Sequence, residues 1–168
     1  MSLTKLEYIL HYRAQGLIPI PLHDIHSGVC SCEEKKREKC DSGGKHPRVN
    51  RQTAIDATEE QWRRWVKAWP HMNIGILTGN ETGLFVVDID PRHGGDKSLA
   101  ELITQKGPLP TTVSASTGGG GNHYLFLIPG GASISNSANE VAPGIDIRGD
   151  GGLIVVEPSM TQGAYKWS

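Results

Sequence analysis

Two aspartates at the end of an apolar run are the residues whose spacing most directly suggests chemistry. The run over 84–87 leads into Asp88-Ile89-Asp90, and its β-branched and aromatic residues predict a buried strand over 84–90. Side chains i and i+2 leave a strand on the same face, so the two carboxylates should point together. Two anions so close repel each other unless a cation or a shared proton compensates them, and a hard divalent ion is the simplest choice.

A third carboxylate at the end of another strand would complete a two-metal site. Asp146 is the best candidate, since it lies within the predicted strand 144–148. Asp150 falls in a glycine-rich turn and ranks lower. We therefore predict that Asp88, Asp90 and Asp146 bind two Mg2+ or Mn2+ ions.

A glycine run precedes a histidine at the start of a further predicted strand. Gly118 to Gly121 and Asn122 lead into His123 and the strand 123–128, without the Gly-Lys-Ser/Thr ending of a P-loop. Four glycines could wrap a phosphate or let a loop move over one, and His123 could donate a hydrogen bond to a triphosphate oxygen. A lone histidine is more often structural, but its place among carboxylate-tipped strands favours nucleotide binding.

Two basic residues are candidates for phosphate binding. Arg148 lies two residues beyond Asp146, shares its strand face and could neutralise phosphate or template charge. A salt bridge from Arg148 to Asp150 or Glu157 is an equally open alternative. Lys45 is a weaker candidate that could simply be solvated.

A polar loop over 23–53 contains four soft or borderline metal ligands, Cys30, Cys32, Cys40 and His46. Their types and spacing predict a tetrahedral Cys3His zinc site, structural because four protein ligands leave no open position. Metal binding would supply the folding energy that so polar a loop lacks. His23 and His26 are competing ligands, and three unliganded thiols are the alternative. An odd number of cysteines suits a reduced, cytoplasmic metal site better than a disulfide framework.

The elements that must position these residues predict a mixed α/β (α+β) chain, because helices come early and strands dominate later. Helices are predicted at 4–15, with a capping box from Thr4 to Glu7, from Thr58 to Pro70, and at 96–106 with Asp96 as the cap. Tryptophans on one side of the second helix are expected in the core. The remaining predicted strands are 17–22, near a sheet edge because of two prolines, 73–78, 111–116 and 153–157.

Composition limits the class of protein. A chain of 168 residues suits one domain or two tightly joined lobes. Its formal net charge of -1 neither demands nor excludes nucleic acid. The apolar runs are too short for a membrane and no secretion signal opens the chain, so we expect a cytoplasmic protein. The chain stops just after a strand and a turn, so we expect a C-terminally truncated piece of something longer.

Taken in order, these motifs resemble the archaeo-eukaryotic primase superfamily, specifically the bifunctional DNA primase/polymerase (Prim-Pol) N-terminal domains of phage, plasmid and bacterial replication proteins. The family's three motifs are a D-x-D pair, an s-x-H histidine and a hydrophobic residue followed by Asp. They correspond here to Asp88-Ile89-Asp90, Gly121-Asn122-His123 and Ile145-Asp146. Gly121 replaces the serine that is frequent in the family, so any hydroxyl contact there is lost. Further likenesses lie at 44–47, 73–76, 107–112, 146–152 and 158–159.

The resemblance implies a single catalytic domain over 1–168, with an N-terminal α/β unit, an RRM-like unit and a zinc-binding insertion at 23–53. It implies DNA-templated nucleotidyl transfer, in which primers are started or extended on single-stranded DNA from dNTPs or NTPs. The catalytic residues would be Asp88, Asp90, Asp146 and His123, and nucleotide binding would also involve Arg148, Gly121 and Lys45. A helicase domain in the full-length protein is a further expected partner.

Two other functions remain open. One is a non-catalytic, zinc-stabilised module that binds single-stranded nucleic acid or nucleotides, which the near-neutral charge favours. The other is a metal-dependent nuclease, because two-metal carboxylate sites also hydrolyse phosphodiesters. The glycine-histidine loop suits a triphosphate and favours the transferase.

Overall fold

The computed structural model describes residues 3–32 and 40–168, so residues 33–39 of the predicted zinc-binding segment lie outside the described residues. Within those ranges there are four α-helices: α1 (Lys5–Ala14), α2 (Arg51–Ile55), α3 (Glu59–Ala68) and α4 (Gly95–Lys106). The strands are β1 (Pro19–Leu22), β2 (Ile25–His26), β3 (Val29–Cys30), β4 (Asn73–Leu77), β5 (Leu84–Ile89), β6 (Ser114–Ser116), β7 (Asn122–Leu127), β8 (Ser137–Ala142), β9 (Ile145–Arg148), β10 (Leu153–Val156) and β11 (Lys166–Trp167). The predicted mixed α/β class is confirmed.

The chain divides into two compact units. The first comprises Met1–Leu77 with Val155–Tyr165, and the second comprises Thr78–Ile154 with Lys166–Ser168. Each unit is therefore built from two segments that are not continuous in sequence. None of the described helices is long and apolar enough to cross a membrane.

A three-stranded sheet in the order β1-β4-β10 underlies the first unit. The predicted edge position of β1 is confirmed, and it suits Pro19 and Pro21, which lack the N–H groups that an inner strand donates on both sides. Helix α1 begins at the predicted capping box, in which Thr4 and Glu7 satisfy each other's backbone amides. Trp62 and Trp65 of α3 are buried, at 1% and 7% exposure, which confirms that they pack in the core.

A C-terminal segment of the chain completes the first unit. The Ser159 hydroxyl accepts a hydrogen bond from the Ile74 amide at 2.7 Å and donates one to the Ile74 carbonyl at 3.1 Å. Nearby in the chain, the Glu157 carboxylate accepts a hydrogen bond from the Tyr8 hydroxyl of α1 at 2.9 Å. These contacts join β4 and α1 to residues more than eighty positions later in the chain.

An antiparallel six-stranded sheet forms the second unit, in the order β11-β6-β7-β5-β9-β8. Strand β5, which carries Asp88, lies inside this sheet with β7 on one side and β9 on the other. Helix α4 contacts β5 and β9. An antiparallel sheet with a packed helix agrees with the RRM-like unit that the resemblance implies.

Several elements differ from the predictions. Asp96 does not cap α4: the N-cap is Gly94, with no side-chain cap, and Asp96 lies in the first turn, where its charge still complements the helix dipole. Strand β6 begins at Ser114 rather than at 111. The sequence did not predict β2, β3, α2, β8 or β11, which are short or polar and lack the apolar periodicity that marks longer elements.

Candidate functional site

The register of the larger sheet brings three predicted site residues to one position across its strands. Asp88 of β5 is paired with His123 of β7 on one side and with Asp146 of β9 on the other. Directly opposite residues of antiparallel strands have side chains on the same face, with Cβ atoms about 4.5–5.5 Å apart. Pairing between strands distant in sequence thus creates a row of two carboxylates and an imidazole.

Arg148 joins the two carboxylates of this row. Its Nη2 lies 2.8 Å from Asp146 Oδ2 and 3.5 Å from Asp88 Oδ2. The salt bridge to Asp150 considered above is not formed, because Asp150 instead accepts from the Asn80 amide and the Ser133 hydroxyl. Arg148 therefore neutralises part of the charge of two acids that face each other.

The Oδ1 atoms of Asp88 and Asp146 also have polar contacts. His123 is 4% exposed, and its Nε2 lies 3.5 Å from Asp88 Oδ1. A bulge in β8 turns the backbone amide of Asn139 toward Asp146 Oδ1 at 3.1 Å. The buried histidine and the bulge therefore hold the two carboxylates in position.

Asp90 lies one residue beyond β5 and has a separate set of partners. Arg92 donates its Nε to Oδ1 at 3.0 Å and its Nη2 to Oδ2 at 2.8 Å. The Arg92 amide lies 3.0 Å from Oδ1, and His93 Nδ1 lies 3.0 Å from Oδ2. The side-chain hydrogen bonds from Arg92 hold the pKa of the Asp90 carboxyl well below its usual range, despite partial burial. This carboxylate is ionised at neutral pH.

The glycine run forms a closed loop between β6 and β7. The amide of Thr117 donates to the carbonyl of Gly121 at 2.9 Å, and the Gly121 amide donates back to the Thr117 hydroxyl at 3.0 Å. A Cβ atom on Gly121 would lie 2.1 Å from the carbonyl oxygen of Ile89. Only glycine fits here without displacing the backbone between Asp88 and Asp90.

The donor chemistry of the second unit fits a hard divalent cation, because its acidic residues offer only carboxylate oxygens. Asp88 and Asp146 lie in register and Asp90 follows directly after the end of β5, so these three residues could hold Mg2+ or Mn2+. The three carboxylates are not gathered into one close cluster. Among the described residues, only one group of three or more His, Cys, Asp or Glu has its ligand atoms within 4.8 Å of one another, and it lies elsewhere. Arg148 pairs with Asp88 and Asp146, whereas Arg92 pairs with Asp90.

That close group consists of the four predicted zinc ligands, Cys30, Cys32, Cys40 and His46. His46 Nε2 lies 3.3 Å from Cys30 Sγ and 3.4 Å from Cys40 Sγ. Three sulfurs and one imidazole nitrogen are a suitable donor set for tetrahedral zinc. The group could hold this ion as a structural site.

A short hairpin positions the first cysteine. Strands β2 and β3 pair with Ile25 opposite Cys30, and both turn residues, Ser27 and Gly28, have positive φ. This is the backbone of the tight turn that suits twisted hairpins. The competing histidines have other positions: the His23 ring stacks on His46 at 4.4 Å, and His26 lies beside His71.

The thiols differ in their proton affinity. Burial, together with hydrogen bonds and charge from Cys30 and Cys40, raises the pKa of the Cys32 thiol to about 12. Burial acts in the same direction on Cys30, but hydrogen bonds from the amides of Cys32 and Gly44 outweigh it and lower the Cys30 pKa. A fully ionised set of thiolates therefore needs a cation among them.

A layer of polar contacts supports the zinc ligands. Arg48 donates to Ser31 Oγ at 2.7 Å and pairs with Asp24 at 2.5 Å. The same hydroxyl lies 2.9 Å from His23 Nδ1. Arg48 and Ser31 were not predicted as site residues, and the only sequence signal for them is their position within the Cys/His segment.

Two further basic residues are Lys45, which was predicted as a site residue, and Arg92, which was not. Lys45 is exposed in the loop that carries His46 and belongs to the first unit. Arg92 was not predicted as a site residue, although its position two residues after Asp90 placed it within reach of that carboxylate.

One comparison with known proteins gives a match. The family described as "Bifunctional DNA primase/polymerase, N-terminal" (Prim-Pol) matches residues 9–168. A search of curated proteins finds no match to the chain.

Proposed function

Because the chain belongs to the family of bifunctional DNA primase/polymerase (Prim-Pol) N-terminal domains, we propose that it catalyses DNA-templated nucleotidyl transfer. The observation that carries the proposal is the register that places Asp88 opposite both His123 and Asp146. These are residues of the three motifs on which the resemblance rests, and here they belong to three neighbouring strands.

In this proposal, Asp88, Asp90 and Asp146 bind two Mg2+ or Mn2+ ions. When bound, such ions activate the attacking 3′-hydroxyl and stabilise the pyrophosphate leaving group. Asp88 is the central ligand, because its strand lies between those of His123 and Asp146. His123 orients Asp88 and contacts the triphosphate.

The remaining candidate residues act on the substrate's negative charge. Arg148 pairs with phosphate or template charge once the ions neutralise its carboxylate partners. The Gly121 backbone, in the closed loop described above, lies beside the triphosphate, and its missing side chain accommodates the Ile89 carbonyl. Lys45 is a weaker candidate for phosphate binding.

Zinc has a structural role in this proposal. Cys30, Cys32, Cys40 and His46 hold one Zn2+ ion, which stabilises a segment over 23–53 that is inserted in a single catalytic domain spanning 1–168. The ion takes part in folding rather than in phosphoryl chemistry, because the four protein ligands complete its tetrahedral coordination.

The proposed substrates are a single-stranded DNA template and dNTPs or NTPs, used to start or extend primers. The proposed setting is cytoplasmic DNA replication of a phage, a plasmid or a bacterium, with a helicase domain in the same full-length protein as a partner. The family match supports the replication chemistry and leaves this setting as a proposal.

The test is templated synthesis by the zinc-loaded protein on homopolymer single-stranded DNA with Mn2+ and labelled nucleotides. We expect incorporation of the complementary nucleotide only. Asp146→Asn should reduce the rate by about a hundredfold or more, because it removes a proposed ligand of the ions that stabilise the charge of the reacting phosphates. Glu101→Gln, an exposed change on α4, is the matched control and should leave the rate unchanged.

Two outcomes would replace the proposal. DNA cleavage in Mn2+ without nucleotides, lost in Asp146→Asn, would identify a nuclease. Tight binding of single-stranded DNA without any incorporation would identify a non-catalytic module.

A further inference from the structure

The guanidinium of Arg92 binds both carboxylate oxygens of Asp90, which is one of the proposed metal ligands. Its two nitrogens bind the two oxygens of Asp90 in a bidentate arrangement. His93 contacts the same carboxylate. A divalent ion that binds Asp90 must therefore displace at least one of these contacts, because four nitrogens, counting the Arg92 amide, already share the roughly four lone-pair sites of the two oxygens.

Arg92 also lies against the glycine loop. A Cβ atom on Gly119 would lie 3.1 Å from Arg92 Cζ and 3.2 Å from Nη2. The absence of a side chain at Gly119 thus leaves room for the guanidinium between Asp90 and the loop. The Arg92 side chain is 46% exposed, so it can change partners without unfolding its surroundings.

We propose that Arg92 is a counter-ion exchange residue: it neutralises Asp90 until divalent ions bind, and then pairs with the phosphates of the incoming nucleotide at the glycine loop. The inference rests on the proposed function, since it requires that Asp90 binds a divalent ion. A guanidinium suits both partners, because its planar fork matches carboxylate and phosphate oxygens equally.

The exchange has an electrostatic reason. With Arg92 in place, the Asp90 charge is balanced before substrate arrives, so the acidic strand end does not repel a triphosphate. When a divalent ion takes over this balancing, the arginine charge becomes available close by. Nucleotide binding and metal binding therefore favour each other at this residue.

The first measurement is a titration of Mn2+ into the zinc-loaded protein without nucleotide. The electron paramagnetic resonance signal of free Mn2+ reports how much of the ion is bound. Arg92→Ala should bind Mn2+ about two- to fivefold more tightly than the wild type, the range expected for removal of an exposed competing ion pair. Arg63→Ala is the matched control, because Arg63 forms an exposed pair with Glu59 on α3. It should leave the Mn2+ affinity unchanged.

The second measurement is the affinity for a non-hydrolysable dNTP at saturating Mn2+. Arg92→Ala should weaken it about tenfold or more, the loss expected for a charge-assisted hydrogen bond. The nucleotide affinity of Arg92→Lys should lie between those of the wild type and Arg92→Ala, because lysine retains the charge without the bidentate geometry. An unchanged value for Arg92→Ala in either measurement overturns the exchange.

Asp88→Asn distinguishes a failure of the proposed metal site from a failure of the Arg92 exchange. If the wild type binds Mn2+ and Asp88→Asn does not, the metal site of the proposed function holds, and the Arg92 variants then decide the exchange alone. If wild type and Asp88→Asn bind Mn2+ equally or not at all, the proposed site and the exchange both fail.

Discussion

Asp88 and Asp146 lie directly opposite each other on neighbouring antiparallel strands, and the guanidinium of Arg148 contacts both carboxylates. Like charges in directly opposite positions destabilise a sheet pair. The arrangement keeps two acids together at a cost that Arg148 offsets in the absence of other cations. This relationship makes stability depend on cations in a way that can be measured.

Replacement of Arg148 by methionine should destabilise the protein in buffer without added divalent ions. We expect a loss of about 1 kcal/mol in the free energy of unfolding, the upper range for a partly exposed pair, because two facing carboxylates lose their counter-charge. Urea denaturation measures it. Added Mn2+ should restore part of the loss, since it binds the same carboxylates.

A double-mutant comparison isolates the cause. Asp146→Asn in the Arg148→Met background removes the repulsion and should recover stability, and the Asp146→Asn single variant completes the cycle that gives the coupling energy between the two sites. Arg63→Met, in an exposed helical pair, is the control. The interpretation is wrong if Arg148→Met and Arg63→Met have the same effect with and without Mn2+.

Gly121→Ala should damage both stability and nucleotide incorporation. The added Cβ meets the Ile89 carbonyl oxygen at 2.1 Å, so the backbone between the two aspartates must shift. Such overpacking costs about 1–3 kcal/mol. Thermal unfolding and primer extension would record it. Gly130→Ala, where a Cβ would have no atom within 4 Å, should change neither, and equal effects of the two substitutions would contradict the argument.

Removal of a zinc ligand should unfold part of the first unit. We expect Cys40→Ser to lose bound zinc and more than about 2 kcal/mol of unfolding free energy, because the metal supplies folding energy to a polar loop. Metal analysis and denaturation measure the two effects. Asp41→Asn, an exposed neighbour, is the control. Full stability of a zinc-free Cys40→Ser protein would show that the cluster does not need the ion.

Zinc affinity should rise with pH. The Cys32 pKa of about 12 lies above the usual value for a thiol, so at neutral pH this thiol is protonated before zinc binds and its proton must leave. Apparent affinity should therefore increase about tenfold per pH unit for each displaced proton, and decrease as the pH falls. Competition titrations at pH 6.5, 7.5 and 8.5 measure the slope. Cys32→Ser should reduce it, whereas a flat profile for the wild type would contradict the prediction.

The sequence predicted those features that local patterns encode. The capping box at Thr4 and Glu7 determined the start of α1, and the apolar run before Asp88 determined β5. The composition of the Cys/His loop identified four ligands that the structure gathers in one group. In each case the signal lies within about twenty residues of chain.

The sequence could not predict features that depend on pairing between distant segments. The register that aligns Asp88 with both His123 and Asp146 is set by hydrogen bonds between strands up to 58 residues apart. The bulge that turns the Asn139 amide toward Asp146 leaves no pattern in the polar sequence of β8. The Arg92 pair with Asp90 was overlooked because a turn, rather than a strand face, brings them together.

The first unit has a consequence for synthesis. Its sheet includes β10, and Ile74 obtains two of its hydrogen bonds from Ser159. The second segment of this unit, Val155–Tyr165, leaves the ribosome only after residues 78–154. At about 5–20 residues per second, its appearance is delayed by several seconds. The N-terminal unit therefore cannot be completed first, as the usual order of translation would allow. A fragment that ends at Leu77 should fail to fold, whereas a chain that extends to Tyr165 supplies every segment of this unit.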